Sequence, residues 1–120
     1  NPHAVLAGYN QSASVVLDAM NSSIDDTSLA SDFMNFPNPV TSGQTTFGFM
    51  PLEENLSATI YIFNTSGEQI DEFDIEVDEL SYTSMEWDAS HLINGLYFTV
   101  LKVTSDTNES IYRNKCVILN

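Results

Sequence analysis

From Phe33 onward, apolar and polar residues alternate with a period of two, and turn-forming residues break the alternation at short, regular intervals. Such a rhythm predicts short β-strands with one face turned inward. Phe33–Phe36 reads as the first strand, halted by Pro37-Asn38-Pro39, because proline lacks a ladder N–H and holds its predecessor extended. Thr45, Phe47 and Phe49 alternate with Thr46, Gly48 and Met50 in a second strand that Pro51 stops. In a third, Ser57–Asn64, Ala58, Ile60 and Ile62 share one face and Thr59, Tyr61 and Phe63 the other, so both faces are expected to be partly buried.

Asn64-Thr65-Ser66-Gly67 predicts a hairpin turn in which glycine supplies a positive φ. The returning strand sets Phe73, Ile75 and Val77 against Asp74, Glu76 and Asp78, one face for the core and one for water. Three acids along a flat strand predict a solvated face that discourages edge pairing, not the converging loop ligands of a calcium site. Tyr82–Asp88 is a fifth strand with Trp87 as core anchor, followed by turns at Asp88-Ala89-Ser90 and Asn94-Gly95. Leu96–Val103 and Ile111–Leu119 are the sixth and seventh, joined by the polar loop Thr104–Ser110. Trp87, Leu92, Leu96 and Phe98 are expected to knit two sheets together. The class predicted is all-β, an immunoglobulin-like, seven-stranded antiparallel β-sandwich.

The first thirty-two residues differ. Ala13, Val15, Leu17 and Ala19 alternate with Ser14, Val16, Asp18 and Met20, a strand or a short helix, and Asn21–Asp32 has a linker's polar composition. Residues 1–32 are therefore read as a lead-in or the tail of a preceding domain, and residues 33–120 as the sandwich.

Charge sharpens this picture. Seventeen acids against three bases give a net charge of −14, a field that repels nucleic acid and anionic lipid. The apolar runs fall far short of the roughly 20 residues of a membrane span, so membrane insertion is not expected and any export signal is expected upstream. All three bases, Lys102, Arg113 and Lys115, lie in the last nineteen positions: residues 1–101 carry −15 and residues 102–120 carry +1. The last segment is electrostatically distinct, either held to the acidic body or presented to a partner.

Candidate chemistry is sparse. Asp88, Ser90 and His91 are too close in sequence for a nucleophile, base and orienter, and His3 and His91 lack partners at metal-ligand spacing. Cys116 is the only cysteine and shares a strand face with Tyr112, Asn114 and Ile118, the setting of a small hydrophobe. No catalytic residue, metal or cofactor is expected, and function is expected to lie in surface and ends.

Four segments carry a resemblance to a known family. Asn35-Phe36-Pro37-Asn38-Pro39-Val40 is similar to the opening motif, and Ile60–Ile70 to the strand, turn and glycine hairpin, of the type A C-terminal sorting domains of the type IX secretion system of Bacteroidetes. Trp87-Asp88-Ala89-Ser90-His91-Leu92-Ile93-Asn94-Gly95-Leu96-Tyr97-Phe98 resembles the family's most recognisable segment, and Arg113–Leu119 its basic and aliphatic last strand. The family's usual aspartate in the central hairpin is Asn64 here. Pro37, Asn38, Pro39, Gly67, Trp87, Asp88, Leu92, Gly95 and Tyr97 are the motif positions, read as folding residues.

The resemblance implies a non-catalytic signal domain that directs a larger exported cargo across the outer membrane. By implication the translocon reads the last strand, with Arg113 and Lys115 as charge contacts and Val117, Ile118 and Leu119 as apolar contacts. It also implies a sortase cut in the lead-in, in the region of Asn21, Asp26 and Asp32, and passage through the periplasm to the cell surface or medium. The alternative is a retained accessory, docking or carbohydrate-binding module of a bacterial surface protein, with Tyr61, Tyr82, Tyr97 and Tyr112 as sugar platform.

Overall fold

The computed structural model describes residues 28–120. The expected strand at 13–20 and the positions Asn21 and Asp26 lie outside the described residues. Seven strands follow in chain order: β1 (Ala30–Phe36), β2 (Gln44–Pro51), β3 (Leu56–Phe63), β4 (Gln69–Val77), β5 (Thr83–Asp88), β6 (Gly95–Thr104) and β7 (Glu109–Ile118). They form two sheets, β1-β2-β5 and β4-β3-β6-β7, with every strand pair antiparallel. This is the all-β, immunoglobulin-like sandwich.

Alternation decides which rows fill the space between the sheets. Phe47, Phe49 and Trp87 face Leu56, Ala58, Ile60 and Ile62 in one core cluster, joined by Leu101, Val103, Cys116 and Ile118. Phe47 is its aromatic hub, 6.1 Å from Phe33, 6.1 Å from Phe73 and 5.7 Å from Trp87 between ring centroids. Phe73, Ile75 and Val77 turn inward as their spacing predicts, and the Trp87 indole N–H donates to Asp71 at 2.9 Å, satisfying the ring's one polar group.

Two expectations fail here, each for a physical reason. β1 starts at Ala30 rather than Phe33, and Leu29 is already buried in the core. Asp32 sits at φ 58 within a bulge, where Ser31 pairs Met50 but Met34 pairs Gly48, so Ala30 and Phe33 both point inward three residues apart. That extra residue hides the strand's start from a period-two reading. On β6 the inward row is Tyr97, Thr99, Leu101 and Val103, so Leu96 and Phe98 do not knit the sheets but lie on the outer face. Tyr97 and Thr99 are accommodated because their hydroxyls donate to the carbonyls of Ile93 (2.6 Å) and Asn114 (2.9 Å).

The turns follow the expected chemistry. Gly67 takes φ 91, and the Asn64 side-chain oxygen accepts from the N–H groups of Ser66 (2.9 Å) and Glu68 (3.0 Å). An amide oxygen thus does what an aspartate oxygen would do. At the next turn Asp88 accepts from the N–H and hydroxyl of Ser90.

Candidate functional site

β7 is an edge strand of the four-stranded sheet, and its two rows of side chains have different fates. The inner row ties the strand to β1. The Tyr112 hydroxyl accepts from the N–H groups of Leu29 and Ala30, Ser110 accepts from Leu29, and Asn114 donates to Asn35. Asn35 is itself buried and donates to Thr45 (3.0 Å) and to the Cys116 sulfur (3.4 Å). Cys116 is sealed in the core, and burial pushes its thiol up to about 11 while the Asn35 contact acts weakly the other way. It is a packing residue.

The outer row, Glu109, Ile111, Arg113, Lys115 and Val117, carries the chain's charge asymmetry to one place. Pairing sets Lys102 opposite Ile111, Val100 opposite Arg113 and Phe98 opposite Lys115. All three bases of the chain therefore share the outer face of this sheet. Arg113 and Lys115 stand over an open depression that Phe98, Thr99 and Asn114 also line. Lys102 lies 3.8 Å from Glu109, whereas Arg113 and Lys115 have no ion pair among the described residues. Beside them Tyr61, Phe63 and Val100 form a second apolar cluster with Phe98 and Ile111, and the far margin on β4 is acidic, with Glu72, Asp74 and Glu76 paired to Tyr61, Thr59 and Ser57.

The free edge of β7 is half closed. Val40 donates its N–H to Val117 (2.7 Å) and accepts from Leu119 (2.8 Å), a parallel bridge onto the strand's last residues. One step earlier the Asn38 side chain imitates a strand residue, donating to the Lys115 carbonyl (2.7 Å) and accepting from the Val117 N–H (3.0 Å). The Pro37-Asn38-Pro39 motif is thus a clip on the last strand. The outward N–H and C=O groups of Glu109, Ile111 and Arg113 meet no partner among the described residues; the backbone groups of the residues between them face β6.

The predicted site residues divide accordingly. Arg113, Lys115 and Leu119 are exposed and Val117 is half-buried on the outer row. Ile118, expected as an apolar contact, is fully buried, because it has the same parity as Cys116, and so presents nothing to a partner. Trp87 and Tyr97 are core residues, Leu92 packs against the core, and Gly95 takes φ 150. Asp88 closes its turn, where the Ser90 hydroxyl and N–H hold its carboxyl below the usual carboxylate range. With Ser90 bound to Asp88 and His91 next in sequence, the three make a turn and no triad. Asp32, placed in the cleavage region, stands in paired β1 instead of an open lead-in.

Two residues stand at the surface beside this site although the sequence reading names neither as a contact residue and expects Leu96 between the sheets. Ile93, 83% exposed, and Leu96 lie beside the end of β7, where Leu96 pairs Val117 and Asn94 donates to the Asn120 carbonyl. The signal available was Asn94-Gly95, since an apolar residue just before a turn has little core to enter. The tyrosine platform does not assemble: Tyr61 and Tyr97 are buried, the Tyr112 hydroxyl is engaged with β1, and Tyr82 lies across Gly48 of the other sheet. Among the described residues no group of three or more His, Cys, Asp or Glu side chains is placed to hold a metal ion.

A family model described as the secretion system C-terminal sorting domain matches residues 35–118. Among solved structures, dimeric latent PorU from Porphyromonas gingivalis is similar in fold, with a TM-score of 0.65 and 18% sequence identity, over 80% of this chain and 10% of that one. The chain spans about a tenth of that protein's length. No curated protein sequence matches it.

Proposed function

The chain belongs to the family of type IX secretion system C-terminal sorting domains, and on that premise we propose that it is a non-catalytic address for a larger exported protein, read by the outer-membrane translocon at β7. The reading surface is the outer row of β7 and the residues around its end: Arg113, Lys115, Val117 and Leu119, with Ile93 and Leu96 beside them. The observation that carries this reading is the gathering of every base of a strongly acidic chain onto one exposed sheet face, next to exposed apolar side chains. Exposed side chains of both kinds, in fixed register, give a partner orientation as well as adhesion. Delivery is to the cell surface or the medium by way of the periplasm.

Removal by a sortase would take place before Ser28. A protease needs an extended, unpaired backbone, and from Leu29 onward the N–H groups are engaged by Ser110, Tyr112 and β2. The region of Asn21 and Asp26 keeps this role and Asp32 leaves it.

The test is a reporter fused to all 120 residues in a host with a type IX system, compared with the Arg113→Glu/Lys115→Glu double variant. Both side chains are exposed, so folding is expected to persist while surface delivery falls and the fusion accumulates in the periplasm. Equal delivery of the two fusions would overturn the assignment of β7 as the address.

A further inference from the structure

We propose that the unclipped half of the β7 edge, Glu109–Arg113, accepts an extended acidic segment of a partner protein as an added strand, with carboxylates received between Arg113 and Lys115. This rests on the reading of β7 as the recognised element and states the chemistry of what recognises it.

The sandwich has four outer strands, β1, β4, β5 and β7, and three of them discourage strand addition. β1 is broken by the bulge at Asp32. β4 carries Asp71, Glu72, Asp74 and Glu76 along its length, and β5 carries Glu86 and Asp88. β7 alone combines outward backbone groups with positive charge. Its clip ends at Lys115, so the remaining edge offers Ile111 and Arg113 as paired donors and acceptors. With flanking positions, that is room for a strand of about five residues, some 17 Å long.

Charge then selects the occupant. Residues 1–101 carry −15 and oppose the approach of an acidic segment, whereas the β7 side of this face holds all three bases of the chain. Here Arg113 and Lys115 line an open depression together with Phe98, and neither has an ion pair among the described residues. Because an added strand alternates its side chains, acids at every second position fall on the outer face, where those at the Arg113 end meet Arg113 and Lys115 while the position opposite Glu109 meets a carboxylate. The expected partner sequence is therefore acidic at i and i+2 at the end that lies beside Arg113, with apolar residues between.

The experiment uses the isotope-labelled 120-residue chain and a blocked Glu-Val-Glu-Val-Glu-Val peptide, with its Gln-for-Glu counterpart and an N-methylated version that cannot pair. The acidic peptide is expected to shift and slow the exchange of the Ile111 and Arg113 amides, and to bind about tenfold more tightly than either control. Raising NaCl from about 50 to 500 mM should weaken it several-fold, and Arg113→Glu or Lys115→Glu should weaken it by about tenfold. Equal binding of the Gln or N-methylated peptide, or shifts confined to β1, β4 or β5, would overturn the proposal. So would shifts that grow with protein concentration alone, which would assign the edge to the acidic β4 of a second copy. If surface delivery depends on Arg113 and Lys115 but no peptide binds, this inference fails while the sorting function stands.

Discussion

Replacing Asn38 by alanine removes a side chain whose whole role is to stand in for a β-strand. Three hydrogen bonds go with it: to the Lys115 carbonyl (2.7 Å), from the Val117 N–H (3.0 Å) and to the Asn35 oxygen (3.1 Å). A net contribution of about 0.5–1.5 kcal/mol each would give roughly 1.5–4.5 kcal/mol, but the first and third partners differ in what replaces Asn38. Water reaches the strand edge, and the Asn35 oxygen keeps the Asn114 donor at 2.6 Å. The expected loss is therefore about 2 kcal/mol, the lower part of that range, equivalent to roughly 8–16 °C in Tm for a domain of this size. Urea unfolding should show a lower midpoint with unchanged slope, and amide exchange should show Val117 losing protection while residues facing β6 keep theirs. Asn38→Asp retains the acceptor for Val117 but no donor for Lys115, so it should not recover the loss. A change under about 0.5 kcal/mol, with Val117 protection intact, would refute the view of the motif as a clip.

Asn35→Leu tests the buried hub behind the clip. It strands the Asn38 and Asn114 amides beside an apolar group, and is expected to cost about 2–4 kcal/mol in urea unfolding despite similar volume; a neutral result would mean that water serves those donors equally well. Cys116 predicts an alkaline effect. Its thiol is pushed from 9.0 up to about 11 in the fold, so the stability gained by keeping it protonated is complete below pH 9 and is lost between pH 9 and 11, a total of about 2–3 kcal/mol. Urea midpoints of the wild type should fall more steeply over that interval than those of Cys116→Ala; parallel curves would sink the argument.

Strands were legible in the sequence wherever one of the two alternating rows was charged. β4 shows this directly, because Asp74 and Glu76 cannot share the core with Phe73, Ile75 and Val77. β6 is the opposite case. Both of its rows begin apolar, and the tyrosine and threonine that belong inside look less buried than the leucine and phenylalanine that belong outside. Lys102 held the deciding information, since it shares parity with Leu96 and Phe98. Likewise the bulge at Asp32 erased the phase of β1, and the clip joins Asn38 to residues 77 and 79 positions away, a contact no local pattern records.

The candidate site was nearer to legible than those misses suggest. Once a hairpin with a short polar loop places Thr104 opposite Glu109, antiparallel pairing runs backward without slippage to Lys102 and Ile111, Val100 and Arg113, Phe98 and Lys115. Opposed residues in an antiparallel pair point to the same face. The three bases must then share one side of the sheet, whatever the rest of the fold does, and Cys116 and Ile118 must share the other. Segregation of charge along the chain thus becomes segregation of charge in space through a single hairpin register. A one-residue slip in β7 would turn Arg113 and Lys115 toward the core and Cys116 and Ile118 toward water. Burial of that apolar pair therefore enforces the register, so the core-facing row of the last strand, though it touches no partner, positions the row that would.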